Sequence, residues 1–264
     1  MKQRLDTLLA QRGLVRSRSA AASTIRAGQV RIGLDGPRAI KPSELVDVDA
    51  PLFVEAPSRY VSRGGEKLAP ALDRLAVDPS GRRCLDVGAS TGGFTDCMLQ
   101  RGAETVVALD VGRGQLDWRL RKDARVVVLE RTNARNIAPA DLPWPASLIT
   151  VDVSFISLRK LFPALLSCLE PDGSILALVK PQFELGAERV GRGGVVRDLL
   201  GRREAVRGVA EAAQTAGLLT HGIAAAGLDG PKGNREVFVH LRPRSAGESE
   251  LDLGDAVERE VNDG

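Results

Sequence analysis

At 264 residues the chain has room for one large domain or two modest ones, and 43% hydrophobic with 27% charged residues is a globular composition that excludes wholesale disorder and collagen-like repeats. No apolar run is long enough to predict a membrane-spanning helix, and the charged start, MKQRLDTLLAQRG, lacks the apolar core of a secretory signal. The formal charge of +3 hides an asymmetry: residues 1–31 carry seven Lys/Arg against Asp6 alone, and 246–264 carry seven acids against Arg259 alone.

The basic block coincides with a small folding unit. Leu5, Leu8 and Leu9 fall at i, i+3 and i+4 and predict a short helix that Gly13 closes. Ser17 or Ser19 caps a second helix, SAAASTIRAG, ending at Gly28. QVRIG alternates as a strand, Asp35-Gly36 supplies a turn, and LVDVDAPLFVEA reads as one or two more strands. Two basic helices followed by short strands, with the pattern RLDxxL…GLxxSR…A…IxxGxVxI…KPS between Arg4 and Ser43, resemble the small RNA-binding fold first seen in ribosomal protein S-four. The resemblance implies that Arg4, Arg16, Arg18 and Arg26 face RNA, where phosphate contacts give affinity and register more than base specificity. We place this domain at 1–57 and a linker at 58–61.

From 62 to 245 the chain alternates strand and helix. CLDVG (84–88), TVVALDV (105–111), RVVVL (125–129), SLITVDV (147–153), SILALVK (174–180), LLTHGIAAA (218–226) and EVFVHL (236–241) are strand-like. Helix-length pieces lie between them: GGEKLAPALDRLAV, GGFTDCMLQRG, the Leu116–Leu120 region, SLRKLFPALLSCL and LLGRREAVRGVAEAAQTAG. This is the pattern of an α/β fold with a doubly wound, Rossmann-like sheet, whose working groups collect at the carboxyl ends of the strands. Cys84, Cys97 and Cys168 have neither metal-ligand spacing nor an even count, and read as buried reduced thiols of a cytoplasmic protein. The acidic tail, 246–264, is expected to be disordered.

The first strand end reads Asp86-Val87-Gly88-Ala89-Ser90-Thr91-Gly92-Gly93-Phe94, a small-residue turn opening into a helix, and Asp110 ends the second strand where a carboxylate can bind ribose hydroxyls. Three ligand classes compete for this turn. A dinucleotide fingerprint wants a glycine where Ser90 stands. The same letters spell G-x-S-x-G, which would make Ser90 a hydrolase nucleophile with His221 or His240 as its base, but that elbow normally follows a strand well inside its sheet. D-x-G-x-x-x-G-G followed by Asp110 is the pattern of an S-adenosyl-L-methionine methyltransferase, and it accounts for more of the residues.

The other strand ends carry Asp152 and Lys180; Glu236 joins them if the last strand runs antiparallel, and Lys67 stands near the first turn of its helix, where a cation wants an anionic partner. A salt bridge between Asp152 and Lys180 is the structural alternative to a working role. Two lysines, an aspartate and a glutamate on one edge match the K-D-K-E tetrad of the FtsJ-like ribose 2′-O-methyltransferases. The whole chain resembles one branch of these, the TlyA or hemolysin-A-like family, through VSRGGEKL, CLDVGASTGGFTD, ALDVGRGQL, VVVLERTNAR, DVSFISL, LVKPQFE, GGVVRD and GPKGNREVF in order. The resemblance implies methylation of a cytidine ribose in ribosomal RNA, within ribosomal subunits. Lys67, Asp152, Lys180 and Glu236 would be catalytic. Asp86, Gly88, Ser90, Thr91, Gly92, Gly93, Phe94, Asp110, Asn133 and Asp152 would hold the cofactor, with Asn133 where relatives often carry Asp. A sulfonium methyl is already activated, so no metal is required; Lys180 would accept the hydroxyl proton or stabilise the developing oxyanion. Aromatics, at 3% of residues, are too few for a stacking platform, so phosphate and shape recognition is expected, with Arg189, Arg192 and Arg197 as further candidates. The competing classes, a membrane-lysing hemolysin or an RNA-binding protein with a decayed methyltransferase fold, find no amphipathic lytic stretch and no decay in these motifs.

Overall fold

The structure, a computed structural model, describes residues 1–26, 28–34, 36–54, 59–191, 193–230, 233–245 and 251–262. The chain divides into two compact units, Met1–Ser58 and Arg59–Gly264. In the first, strand β1 (Lys2–Arg4) runs into helix α1 (Leu5–Gln11), followed by α2 (Arg18–Arg26), β2 (Val30–Ile32), β3 (Leu45–Asp47) and β4 (Leu52–Val54). β1 pairs with β3 and β2 with β4, both antiparallel; three polar residues gave β1 no pattern to be read by. Leu5, Leu8 and Leu9 close a core with Ala21, Ile25 and Val30, and the Ser17 hydroxyl caps α2 by accepting the Ala20 N–H at 3.2 Å. Asp35 of the expected turn lies outside the described residues.

Asp6, a letter of the RLDxxL pattern not singled out from the sequence, organises the basic face. Its buried carboxylate accepts from Arg4 Nη2 at 2.7 Å and pairs with Arg18 Nε at 3.3 Å. The Arg4 guanidinium foremost, with Arg18, holds this carboxyl well below the usual carboxylate range. Arg4 and Arg18 are therefore partly committed within the unit, whereas Arg16 and Arg26 are exposed.

The second unit is built from α3 (Arg63–Arg74), β5 (Arg83–Val87), α4 (Gly93–Gln100), β6 (Thr105–Asp110), α5 (Trp118–Arg121), β7 (Val126–Glu130), β8 (Ala146–Val151), α6 (Phe162–Ser167), β9 (Leu169–Val179), α7 (Pro181–Glu184), α8 (Leu199–Thr215), β10 (Leu218–Ala225), β11 (Val237–Pro243) and α9 (Leu253–Asn262). One seven-stranded sheet runs in the order β10-β11-β9-β8-β5-β6-β7. Only β11 runs against its neighbours. Alternate strand residues feed two cores. Leu85, Val87, Ile149 and Ile175 pack under α6, α8 and α9. Cys84, Val106, Leu148 and Leu176 pack under α3, α4 and α5. Because Val237 pairs antiparallel with Val179, Glu236 and Lys180 emerge side by side at the carboxyl edge. A single turn starting at a proline, α7 is too short for periodicity to announce.

Two expectations are corrected. Of the expected linker, Tyr60 is a core residue, and the Val61 N–H is bonded by Asp96 Oδ2 at 2.8 Å, so 59–61 belong to the second unit; Ser58 lies outside the described residues. The tail is not featureless: α9 buries Ala256, Val257 and Val261, and Glu260 accepts from Arg74 Nη2 at 2.6 Å and from the Ala225 N–H at 2.8 Å. A count of acids registers charge but not the apolar face on the other side of the helix. Residues 246–250 of that tail lie outside the described ones.

Candidate active site

At the end of β5 the chain turns at Gly88, with φ of +84°. A Cβ here would stand 2.4 Å from the Asp152 carbonyl oxygen, so glycine lets the turn close against the end of β8. We expect Gly88→Ala to destabilise the second unit by about 3 kcal/mol through strain and this backbone clash, and to abolish donor binding. Thermal unfolding and calorimetry check this; native donor affinity in the variant would contradict it.

Just before the turn, Asp86 is fully buried and accepts from the Thr95 N–H at 2.8 Å and Thr95 Oγ1 at 2.6 Å, tying β5 to the first turn of α4. Burial pushes its carboxyl up to about 7 against these donors. A carboxyl raised above its unfolded value of 3.8 favours folding at low pH, and that contribution is lost as pH rises through about 7. Between pH 5 and pH 8 the loss amounts to roughly 3 kcal/mol. In urea titrations, the stability lead of the native chain over Asp86→Asn is expected to be larger at pH 5 than at pH 8; an unchanged lead would refute the account.

Asp110, at the end of β6, is held by backbone: Oδ2 accepts from the Ser90 N–H at 2.8 Å and Oδ1 from the Gly112 N–H at 2.7 Å. With Gly88, Ser90, Gln115, Asn133 and Ile156 it lines a cavity of about 330 Å³. Asn133 Oδ1 caps a short turn by accepting the Arg135 N–H at 3.0 Å, leaving its amide nitrogen as the donor on this wall. A smaller cavity of about 120 Å³ lies among Gly64, Asp86, Gly88, Ser90, Thr91, Gly93 and Phe94. Phe94 belongs mainly to the core, its ring 5.8 Å from that of Phe238. Gly92 is absent from both walls; a side chain there would strike Leu120, so its smallness serves the packing of α5.

The largest cavity, about 640 Å³, is lined by Lys67, Asp152, Lys180 and Glu236 together. Lys180 Nζ is 2.5 Å from Asp152 Oδ1 and 3.1 Å from Ser154 Oγ. The Lys67 ammonium, 9% exposed, is hydrogen-bonded to Glu236, 2% exposed; this is the anionic partner that a lysine near the start of its helix, just past the first turn, wants. The Asp152–Lys180 salt bridge is thus real, and it lies in the cavity wall. Asp152 lines all three cavities, so the two smaller ones meet the lysine-lined one at this carboxylate.

Several wall residues lie within the family motifs but are not among the candidates the sequence singled out. Phe155, 91% exposed at a φ of +65°, sits with its ring 5.1 Å from that of Phe183, and both line the lysine cavity. A bulky residue in that backbone region is strained, and such strain clusters at working sites. Scarce aromatics therefore do not mean that none is available for stacking; composition counts rings but not where they stand. Asn234, also buried in this wall, accepts the Val196 N–H at 2.9 Å and donates to the Gly194 carbonyl at 2.8 Å, tethering the loop after α7. In that loop Arg189 is paired with Asp198 and Glu204, Arg197 is exposed, and Arg192 lies outside the described residues.

A serine nucleophile finds no base here. Ser90 Oγ donates to Gln115 Oε1 at 3.3 Å, while the His221 and His240 rings stand 5.9 Å apart, tilted by 50°, on β10 and β11. Burial pushes the His240 imidazole down to about 4. Among the described residues no helix is long and apolar enough to cross a membrane.

The model of the FtsJ-like methyltransferase family matches residues 60–243, and that of the S4 domain matches 3–50. Across all of this chain and 98% of the other, the sequence is 49% identical to a Mycobacterium tuberculosis protein named 16S/23S rRNA (cytidine-2′-O)-methyltransferase TlyA. It is 36% identical to Hemolysin A of Brachyspira hyodysenteriae over 90% of this chain and 99% of that one. A solved structure of a hemolysin-named protein from Streptococcus thermophilus is 38% identical, with a TM-score of 0.77 over 99% of this chain and 95% of that one.

Proposed function

Because this chain belongs to the FtsJ-like methyltransferase family, we propose that it transfers a methyl group from S-adenosyl-L-methionine to the 2′-oxygen of a cytidine in ribosomal RNA. The observation that carries the reading is Asp152, the one carboxylate in the walls of all three cavities, with Lys180 against it on the substrate side. The donor fits the two smaller cavities: Asp110 is held ready for ribose hydroxyls, Asn133 and Ile156 stand on the same wall, and Gly88 and Gly93 keep the turn free of side chains. When bound, S-adenosyl-L-methionine supplies a methyl group already activated by its sulfonium.

The chain's own residues then align an alcohol and manage one proton. Lys180 donates to the 2′-oxygen as negative charge grows on it. Its partner Asp152 holds the ammonium in place at 2.5 Å, and the hydroxyl proton is released to water as the methyl group is transferred. Lys67, anchored by Glu236, adds a second positive group to the same wall. Phe155 and Phe183 offer flat apolar faces to the base of the target nucleotide. The amino-terminal unit anchors the RNA through exposed cations such as Arg16 and Arg26, and the substrate is ribosomal RNA within subunits, in the cytoplasm.

The test is to incubate the purified chain with ribosomal subunits and methyl-labelled donor, then map the label. Label on cytidine 2′-oxygens is expected. Label confined to bases, or none on RNA, would refute the reading.

A further inference from the structure

The turn after β8, residues 152–158, carries Asp152, Ser154 and the strained Phe155, so something must hold it in place. α7, which follows Lys180, supplies the hold. Glu184, its side chain only 1% exposed, accepts from Ser157 Oγ at 2.6 Å and from the Leu158 N–H at 2.8 Å, with Arg159 Nε at 3.6 Å. These contacts span 27 and 26 residues of sequence and join the segment bearing Lys180 and Phe183 to the one bearing Ser154 and Phe155. Burial raises the Glu184 carboxyl, so its place in the interior is held by these donors and not by solvation. Glu184 itself is absent from the wall of the lysine cavity.

We infer that Glu184 is a positioning residue for methyl transfer: its carboxylate fixes the 154–158 turn against α7, keeping Phe155 and Ser154 in the cavity wall beside Lys180. A strained rotation at one residue persists only where its surroundings over-determine it, and this carboxylate takes two donors within three residues of Phe155. The inference rests on the proposed reaction.

The experiment is a double-variant cycle in the full-length chain, with kcat/KM measured on ribosomal subunits. Glu184→Ala is expected to lower kcat/KM about thirtyfold in the native background but less than about threefold when Phe155 is already Ala, because the residue it positions is gone. Ser157→Ala removes one donor from the other side of the contact and is expected to cost about fivefold, with the same dependence on Phe155; it decides the matter if Glu184→Ala does not accumulate as folded protein. Equal losses in both backgrounds, or native kcat/KM in the decisive variant, would overturn the inference. An inert native chain overturns it together with the proposed reaction; an active native chain with additive losses overturns it alone.

Discussion

Replacing Lys180 with alanine is expected to slow methyl transfer about a thousandfold while donor affinity stays within about threefold of the native value. The asymmetry follows from the cavities. Lys180 lines the substrate side only, whereas Asp152 lines that side and both cavities assigned to the donor. Asp152→Ala is accordingly expected to lose both donor binding and turnover. Removing the lysine also leaves the Asp152 carboxylate without its 2.5 Å partner, so its negative charge would oppose an oxyanion forming nearby. Lys180→Arg is expected to recover little, since a planar guanidinium cannot replace a point ammonium between Asp152 and Ser154. Single-turnover rates with saturating donor, alongside calorimetry, check the pair of outcomes. Native turnover in Lys180→Ala would end the assignment.

Deleting residues 1–58 is expected to raise KM for ribosomal subunits about a hundredfold and to flatten the dependence of binding on salt, with donor affinity kept. Each unit has its own apolar core, so the second has what it needs to fold without the first. The lost part is the basic one: residues 1–31 hold seven of the chain's 37 Lys/Arg against a single acid, and that acid is buried between Arg4 and Arg18. Contacts from such a surface go chiefly to phosphates, so the loss should be similar across RNA sequences and steep in salt. Binding titrations at several salt concentrations, with methylation rates on the same subunits, measure it. A truncated chain that methylates at the full rate would show that the second unit alone carries recognition.

Much of the fold and of the site is legible in the order of residues. Strand-by-strand apolar runs in the second unit mark the sheet because a strand covered on both faces must be apolar throughout. The turn from Asp86 to Phe94, with Asp110 beyond it, marks the donor side because a small-residue turn into a helix is local chemistry written in consecutive letters. Asp152 and Lys180 stand out as charges closing apolar runs. Other features leave no such trace. Asp6 is a letter of the RLDxxL pattern, but its burial between two arginines is seen only in the packed unit. The ring pair of Phe155 and Phe183 joins two strand-end segments that the alphabet keeps 28 positions apart. That Gly92 makes room for Leu120 and that the Phe94 ring packs against Phe238 is likewise not written in the motif that contains them.

The sequence by itself determined the two-domain order, the α/β sheet and, through its motifs, the identity of the four charged residues on one edge. The first two follow from periodicity and from spacing along the chain, which are properties of neighbouring residues; the four charged residues are named together through the family resemblance. Tertiary structure alone decided which lysine answers which acid, Lys67 to Glu236 across 169 residues and Lys180 to Asp152, and that three cavities meet at one carboxylate. It alone turned the acidic tail into a helix with a buried face. The reason is common to all of these: charge pairing and burial depend on distance through space, and only the packed sheet, with its reversed strand β11, brings those distances about.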